Sequence, residues 1–258
     1  MQQPLTHSIE SKQIKIAWEG GILFLGKLIG GVLKWLSQVI IARLVGPAML
    51  GLYMIGLALL QILTRIADLG LQSGTLRYVS LYRGVNEQEK VKGTIISALG
   101  LSLIGGIILG FLFFLLSPFL ANSIFHKAQL TPVLKIFAFA LPFFTIMMVA
   151  ISITQSFQVM KYSVWGQQFF HPIINIFLIV ILVKVGLKVA GPVWAFAGAS
   201  LLTILLLLIF IHRLFPDIFR ADVKSIFQVK ELTFFSFPLA FAGFFSFPLG
   251  TTVDTHFG

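Results

Sequence analysis

Six stretches of this chain run for about 20 residues or more with very few charges, at 20–44, 49–71, 94–118, 130–158, 164–185 and 192–211. A helix crossing the hydrocarbon core of a bilayer needs roughly 20 apolar residues, so each stretch reads as a membrane span. In lipid every backbone polar group must be satisfied internally, which leaves only helices and closed barrels. A barrel would show segments of about ten residues alternating apolar and polar, whereas these runs are continuously apolar. The sequence therefore predicts an all-α polytopic membrane helical bundle. A seventh apolar run, 232–258, carries the chain to its last residue and is expected to be an incomplete span. Composition agrees, since of 258 residues 57% are hydrophobic and only 11% charged, against about 25% charged in soluble domains.

The expected organisation is a cytoplasmic amino-terminal segment over 1–19, a six-helix membrane lobe over 20–213, a cytoplasmic loop over 214–231 and the seventh run over 232–258. The link at 45–48 is so short that the first two spans must form an antiparallel hairpin. The polar segment 72–93, with Arg77, Arg83, Glu87, Glu89, Lys90 and Lys92, reads as a cytoplasmic loop. Short connections follow at 121–129 and 186–191. The first residues lack the apolar core and cleavage site of a signal peptide, so the first span is expected to be retained.

Cytoplasmic flanks of membrane helices are enriched in Lys and Arg. Counting alternate ends, Lys12, Lys15, Arg77, Arg83, Lys90, Lys92, Lys161, Arg213, Arg220, Lys224 and Lys230 fall on one side, and Arg43, Lys127, Lys135, Lys184 and Lys188 on the other. The amino terminus is thus expected in the cytoplasm, with the chain in the cytoplasmic (plasma) membrane. The same rule accounts for the net charge of +10. No contiguous basic run tracks a phosphate backbone, so nucleic acid is not an expected partner. With no cysteine there is no disulfide framework and no thiolate metal site.

A Lys, Arg or Asp at the centre of a membrane helix costs about 2.5 to 3.5 kcal/mol on insertion scales, so each such residue calls for a reason. Lys27 and Lys34 lie seven residues apart, on one helical face at a separation of about 10 Å, and Gln38 extends that face. A basic stripe lining an interior space would suit an anionic ligand such as a diphosphate. The plainer alternative has Lys27 snorkelling to the interface and Lys34 paired with a carboxylate. Gly26 and Gly30 form a small-xxx-small pair that invites a close helix contact. Arg65 and Asp68, spaced i,i+3, are expected to neutralise each other, either as a structural pair or as one that opens on ligand binding. Gln168, His171 and Asn175 share one face of the fifth span, where they line a path, relay protons or bond between helices. Pro172 is expected to kink that helix, and Pro142, Pro238 and Pro248 to interrupt others, with the freed backbone facing a cavity.

No phosphate-binding glycine loop, zinc-protease motif or nucleophile elbow occurs, and the nine acidic residues are dispersed. Neither a metal nor a cofactor is expected, and the chain reads as a transporter and not as an enzyme.

Several motifs nevertheless resemble one family. Ala42-Arg43-Leu44-Val45-Gly46-Pro47, followed by Gly51-Leu52-Tyr53, looks like the ARxLGPxxxGxY turn between the first two helices of polysaccharide-export flippases, with Val45 in place of leucine. Gly70-Leu71, Arg77-Tyr78 and Ser80 are similar to the GLxxAxxRYxA end of the second helix, with Gly74 and Ser80 where alanines are usual. Phe235-Ser236-Phe237-Pro238-Leu239 resembles the FSxPL entry to the seventh helix, and Asp254 an acidic residue inside it. The family is the polysaccharide transporter (Wzx-type flippase) branch of the multidrug, oligosaccharidyl-lipid and polysaccharide exporter superfamily.

The resemblance implies a two-lobed transporter that moves a polyprenyl-diphosphate-linked oligosaccharide between leaflets by alternating access, driven by an ion gradient. This chain would correspond to the amino-terminal lobe and a stub, as a truncated gene, a fragment, or a half that assembles with a second lobe or with itself. Lys34, Arg65 and Asp68 are then the residues expected at the anionic headgroup, with Lys27 and Gln38 beside them and His171, Asn175 and Asp254 as relay or lining groups. Two alternatives stand: a cation-coupled multidrug exporter of the same superfamily, which would use buried carboxylates, and a truncated lobe that does not transport.

Overall fold

A computed structural model describes residues 3–188 and 190–219, with nearly all side chains from Trp18 onward. It is a helical bundle with no strand among the described residues: α1 (Gln3–Val45), α2 (Pro47–Asp68), α3 (Leu71–Gly84), α4 (Gln88–Phe119), α5 (Leu130–Ser156), α6 (Met160–Val164), α7 (His171–Lys184) and α8 (Ala190–Leu214). A π-helical turn, Leu120–Ile124, extends α4, another, Trp165–Phe170, joins α6 to α7, and a 3-10 turn, Pro216–Phe219, follows α8. The six apolar spans are present, as Trp18–Val45, Pro47–Asp68, Gln88–Ile124, Leu130–Ser156, Met160–Lys184 and Ala190–Leu214. The seventh run, with Pro238, Pro248 and Asp254, lies outside the described residues.

The hairpin between the first two spans turns on one residue. Gly46 has φ 91, a conformation that side chains resist, and Pro47 takes the first position of α2, where its missing N–H costs nothing.

α5 is the axis of the bundle. Two-thirds of its most apolar window (67%) is buried, against 17% for α1, because α2, α3, α4 and α8 all pack on it. Phe137 of α5 lies 5.6 Å from Tyr53 of α2 and 5.9 Å from Phe196 of α8, ring centre to ring centre. α1 runs along the edge, against α2, α6 and α7. Its expected glycine contact is realised: Gly26 lies against Val164, and Gly30 against Gln168, so closely that a β-carbon at either position would collide. Glu19 accepts a hydrogen bond from the backbone N–H of Met160 at 2.9 Å, tying α1 to the start of α6.

The segment 72–93 is not a loop. It forms α3, a three-residue link, and the first turns of α4. α2 and α3 together follow α5 in the same direction: Gly56 meets Phe137 and Val133 near the start of α5, and Arg83 meets Phe157 at its end. One crossing is thus made by two helices, broken at Leu69 and Gly70, both in left-handed conformations with φ 47 and 74. The polar residues that suggested a loop have a different use. Ser80 Oγ donates to Ser156 O at 3.0 Å and Arg83 to Phe157 O at 2.8 Å, which satisfies carbonyls that the end of α5 leaves open. Val79 and Tyr82 of the same helix are buried.

At the other end of the sequence, the polar segment expected ahead of the first span is helical from Gln3 and continuous with α1. The prolines also act differently from expectation. α5 continues through Pro142, and the carbonyl this proline leaves without a partner, that of Ala138, faces helix α4 and not a cavity: a β-carbon on Gly110 would lie 2.8 Å from it. Gly106 sits equally close to the Pro142 backbone. In the fifth span the π-helical turn immediately precedes Pro172, where the N–H of His171 bonds to Gly166 O; one inserted residue absorbs the disruption expected as a simple kink.

Candidate functional site

A cavity of about 420 Å³ opens between α1, α2, the start of α3, α5, the second π-helical turn, α7 and α8. α1 presents Lys34, Ser37 and Gln38 to it, and α2 presents Tyr53, Gln61, Thr64 and Arg65. Gln72, Gln167, His171 and Asn175 come from α3, the π-helical turn and α7. Phe144, Met147 and Phe196 form an apolar wall.

The local reasons for this arrangement are legible. α1 touches its neighbours at Gly26 and Gly30, so the space opens only beyond that contact, at Lys34. Asn175 Nδ2 donates to Ser37 Oγ at 3.5 Å, linking α7 to α1 across the floor. Ser200 Oγ donates its hydrogen to Phe196 O at 2.8 Å, so its contact with His171 Nε2 at 3.3 Å needs the ring to donate. That assigns the proton to Nε2. The His171 ring also meets Phe196 edge-on, 5.2 Å between centres. The side chain is thus held by Ser200 and Phe196.

Of the residues singled out by sequence, Lys34, Gln38, Arg65, His171 and Asn175 line this one cavity. Lys27 does not; it is exposed on α1 between the two contact glycines. Asp254 is outside the described residues. Asp68 is not in the lining and is 4% exposed. The expected Arg65–Asp68 ion pair is absent, with no nitrogen and oxygen within 4 Å. Arg65 reaches the cavity, whereas the Asp68 carboxylate, at the last residue of α2, turns over the helix break, where Oδ2 accepts from the backbone N–H of Gln72 at 3.4 Å. Nor does Lys34 have, among the described residues, the carboxylate partner that the plainer reading supposed, since none of their acidic side chains lines the cavity.

Tyr53, Gln61, Thr64 and Gln72 escaped the sequence reading, although they carry a signal. Tyr53, Gln61, Thr64, Arg65, Asp68 and Gln72 follow one helical face, with Leu57 the apolar member between the first two, a largely polar stripe down α2 into α3. The stripe crosses the expected boundary between span and loop, and that hides it in the sequence.

Chemically, the lining drawn from the described residues combines two cations, five primary amides and no carboxylate with an aromatic and thioether wall. Cations and amide N–H groups meet phosphate oxygens, amides pair with hydroxyls, and the wall takes apolar ring faces. Among the described residues no group of three His, Asp or Glu could hold a metal ion.

A family model described as polysaccharide biosynthesis protein matches residues 17–257. Neither the curated proteins nor the solved structures yield a significant match. The model spans nearly the whole chain and agrees with the six-span helical bundle, so the chain is a multi-pass membrane protein that belongs to the polysaccharide biosynthesis protein family, that of the Wzx-type flippases in the multidrug, oligosaccharidyl-lipid and polysaccharide exporter superfamily.

Proposed function

We propose that the protein takes part in translocating a polyprenyl-diphosphate-linked oligosaccharide across the plasma membrane, with its amino terminus in the cytoplasm, and that the cavity receives the diphosphate and the sugars beside it. The observation that carries this reading is the charge of the lining: among the described residues Lys34 and Arg65 face the space and no carboxylate does. A drug exporter of the superfamily that binds cations would be expected to place acids there, and this one places amides. Lys34 and Arg65 meet the diphosphate, and Gln38, Gln61, Gln72, Gln167 and Asn175 offer donors and acceptors to hydroxyls. Alternating access by rocking of the helices about the cavity, alone or with a second lobe or copy, completes the mechanism.

Binding of a short-chain polyprenyl diphosphate to the purified protein tests the assignment. Lys34→Ala and Arg65→Ala should each weaken binding by about tenfold or more, as expected when a charged hydrogen bond worth about 1.5 to 3 kcal/mol is lost, with unchanged thermal unfolding. Equal affinity in both variants would reject the cavity as the diphosphate site. Restoration of surface polysaccharide in a flippase-deleted host, lost in the same variants, would extend the result to transport.

A further inference from the structure

The break between α2 and α3 has a depth that can be located. Gly105 of α4 lies against Ala67 O, and Gly106 against Pro142, near the middle of α5. The break at Leu69 and Gly70 is therefore level with the centre of the bundle, where the bilayer is least hospitable to a charge. Asp68 stands at that break. It is 4% exposed, and its Oδ1 has no hydrogen-bond partner. Leu69 next to it is held at φ 47, a conformation costly for a residue with a branched side chain. A buried acid with a bare oxygen, at a strained break in a membrane helix, is a feature that structural packing does not require.

Among the described residues few other charges bear on it. On α2 there is Arg65, three residues before. Of the elements packed against α2, α1 carries Glu19, Lys27, Lys34 and Arg43 among its described side chains, α4 has no ionisable residue between Gly93 and Phe119, and α5 has only Lys135, which lies over the Phe114 ring. On α3 the ionisable residues Arg77, Tyr78, Tyr82 and Arg83 begin two turns or more beyond the break, and His171 faces the same cavity from α7. Asp68 thus adjoins the cavity lining through Arg65, three residues before it, and Gln72, from whose backbone N–H it accepts a hydrogen bond; both line the cavity.

We propose that Asp68 is a proton-carrying group coupled to the cavity: its carboxylate takes up one proton at Oδ1 when an anionic ligand engages Arg65, and releases it when the ligand leaves. The step is a simple association, carboxylate plus proton giving the neutral acid, and the proton comes from and returns to water. No existing hydrogen bond has to break, because Oδ2 keeps Gln72 and Oδ1 has none to lose. The coupling is electrostatic. An anion that draws on Arg65 engages the cation three residues before Asp68 on the same helix, and a second negative charge so close is then offset by a proton. A metal cation in this role would need several oxygen ligands, and no group of three acidic or His side chains supplies them among the described residues.

The coupling rests on the diphosphate reading of the cavity; the proton site does not, and the test separates the two. Infrared difference spectra of the full chain in lipid nanodiscs, recorded across pH without ligand, should show a buried carboxylic-acid carbonyl band that titrates in the wild type and disappears in Asp68→Asn. Its absence from the wild type would overturn the proton site. Short-chain polyprenyl diphosphate is then added in weakly buffered solution. Uptake of about one proton per bound diphosphate in the wild type, and none in Asp68→Asn at saturating ligand, supports the coupling, the ligand's own ionisation being common to both. Binding with equal uptake in both proteins overturns it. Absence of binding in the wild type defeats the cavity reading, while the infrared band still decides the proton site. If Asp68→Asn does not fold, aspartate-selective carbon-13 labelling of the wild type and Asp68→Glu identifies the band without it.

Discussion

The α4–α5 seam and the cavity wall are built from the same unusual residues and use them to opposite ends. At the seam, Gly106 and Gly110 bring the backbone of α4 against Pro142 and the carbonyl that Pro142 frees, so a helix defect is covered by a neighbouring helix. At the cavity, Pro172 and the π-helical turn before it spread one helix next to open space, and Gln167, His171 and Asn175 face that space. A proline in a membrane helix therefore does not indicate a cavity. What decides is whether a glycine of an adjacent helix is placed to close over the exposed carbonyl.

The contrast can be broken most sharply at the seam. Gly110→Val should destabilise the bundle by about 3 kcal/mol, read as a large drop in thermal unfolding temperature in detergent, because its new atoms meet backbone that cannot move aside. Gly100→Ala, on the same helix with nothing within 4 Å of the added carbon, should stay within about 0.5 kcal/mol of the wild type. Similar losses in both would show that the seam is not closely packed. At the cavity the expectation reverses. Lys34→Ala should leave unfolding within about 0.5 kcal/mol while weakening diphosphate binding by the tenfold or more given above.

Between these extremes lies α3, whose polar residues serve packing. Arg83→Ala should cost about 1.5 kcal/mol through loss of its bond to Phe157 O and of its position 5.1 Å over the Phe157 ring. Protease sensitivity at 85–88 would rise with it, and an unchanged cleavage rate would argue against α3 as the cap of α5. The smallest effect is expected from the cavity amides. Gln61→Ala should reduce affinity for the oligosaccharide-bearing lipid by about two- to tenfold, as for one neutral hydrogen bond, and leave binding of the sugar-free diphosphate unchanged. A loss for both ligands would place the amide at the phosphates.

Much of the architecture could be read from the amino-acid sequence. Six uninterrupted apolar runs in lipid leave their backbone groups no partner except within a helix, so helicity and span number followed from length and composition alone. The contact at Gly26 and Gly30 followed from spacing, since only small residues on one face let two helices approach. The basic character of the site was likewise visible in Lys34 and Arg65. Other features depended on neighbours distant in sequence. Polar residues at 72–93 look the same whether they face water or satisfy the end of α5, and only packing against α5 makes them a helix. Lys27 and Lys34 share a face, yet a contact between them closes the space to one and opens it to the other. Arg65 and Asp68 have the spacing of a pair, but a helix break after Asp68 turns its carboxylate away. Local spacing sets which side chains can meet, and the three-dimensional packing of α1, α2 and α5 determined which of them do.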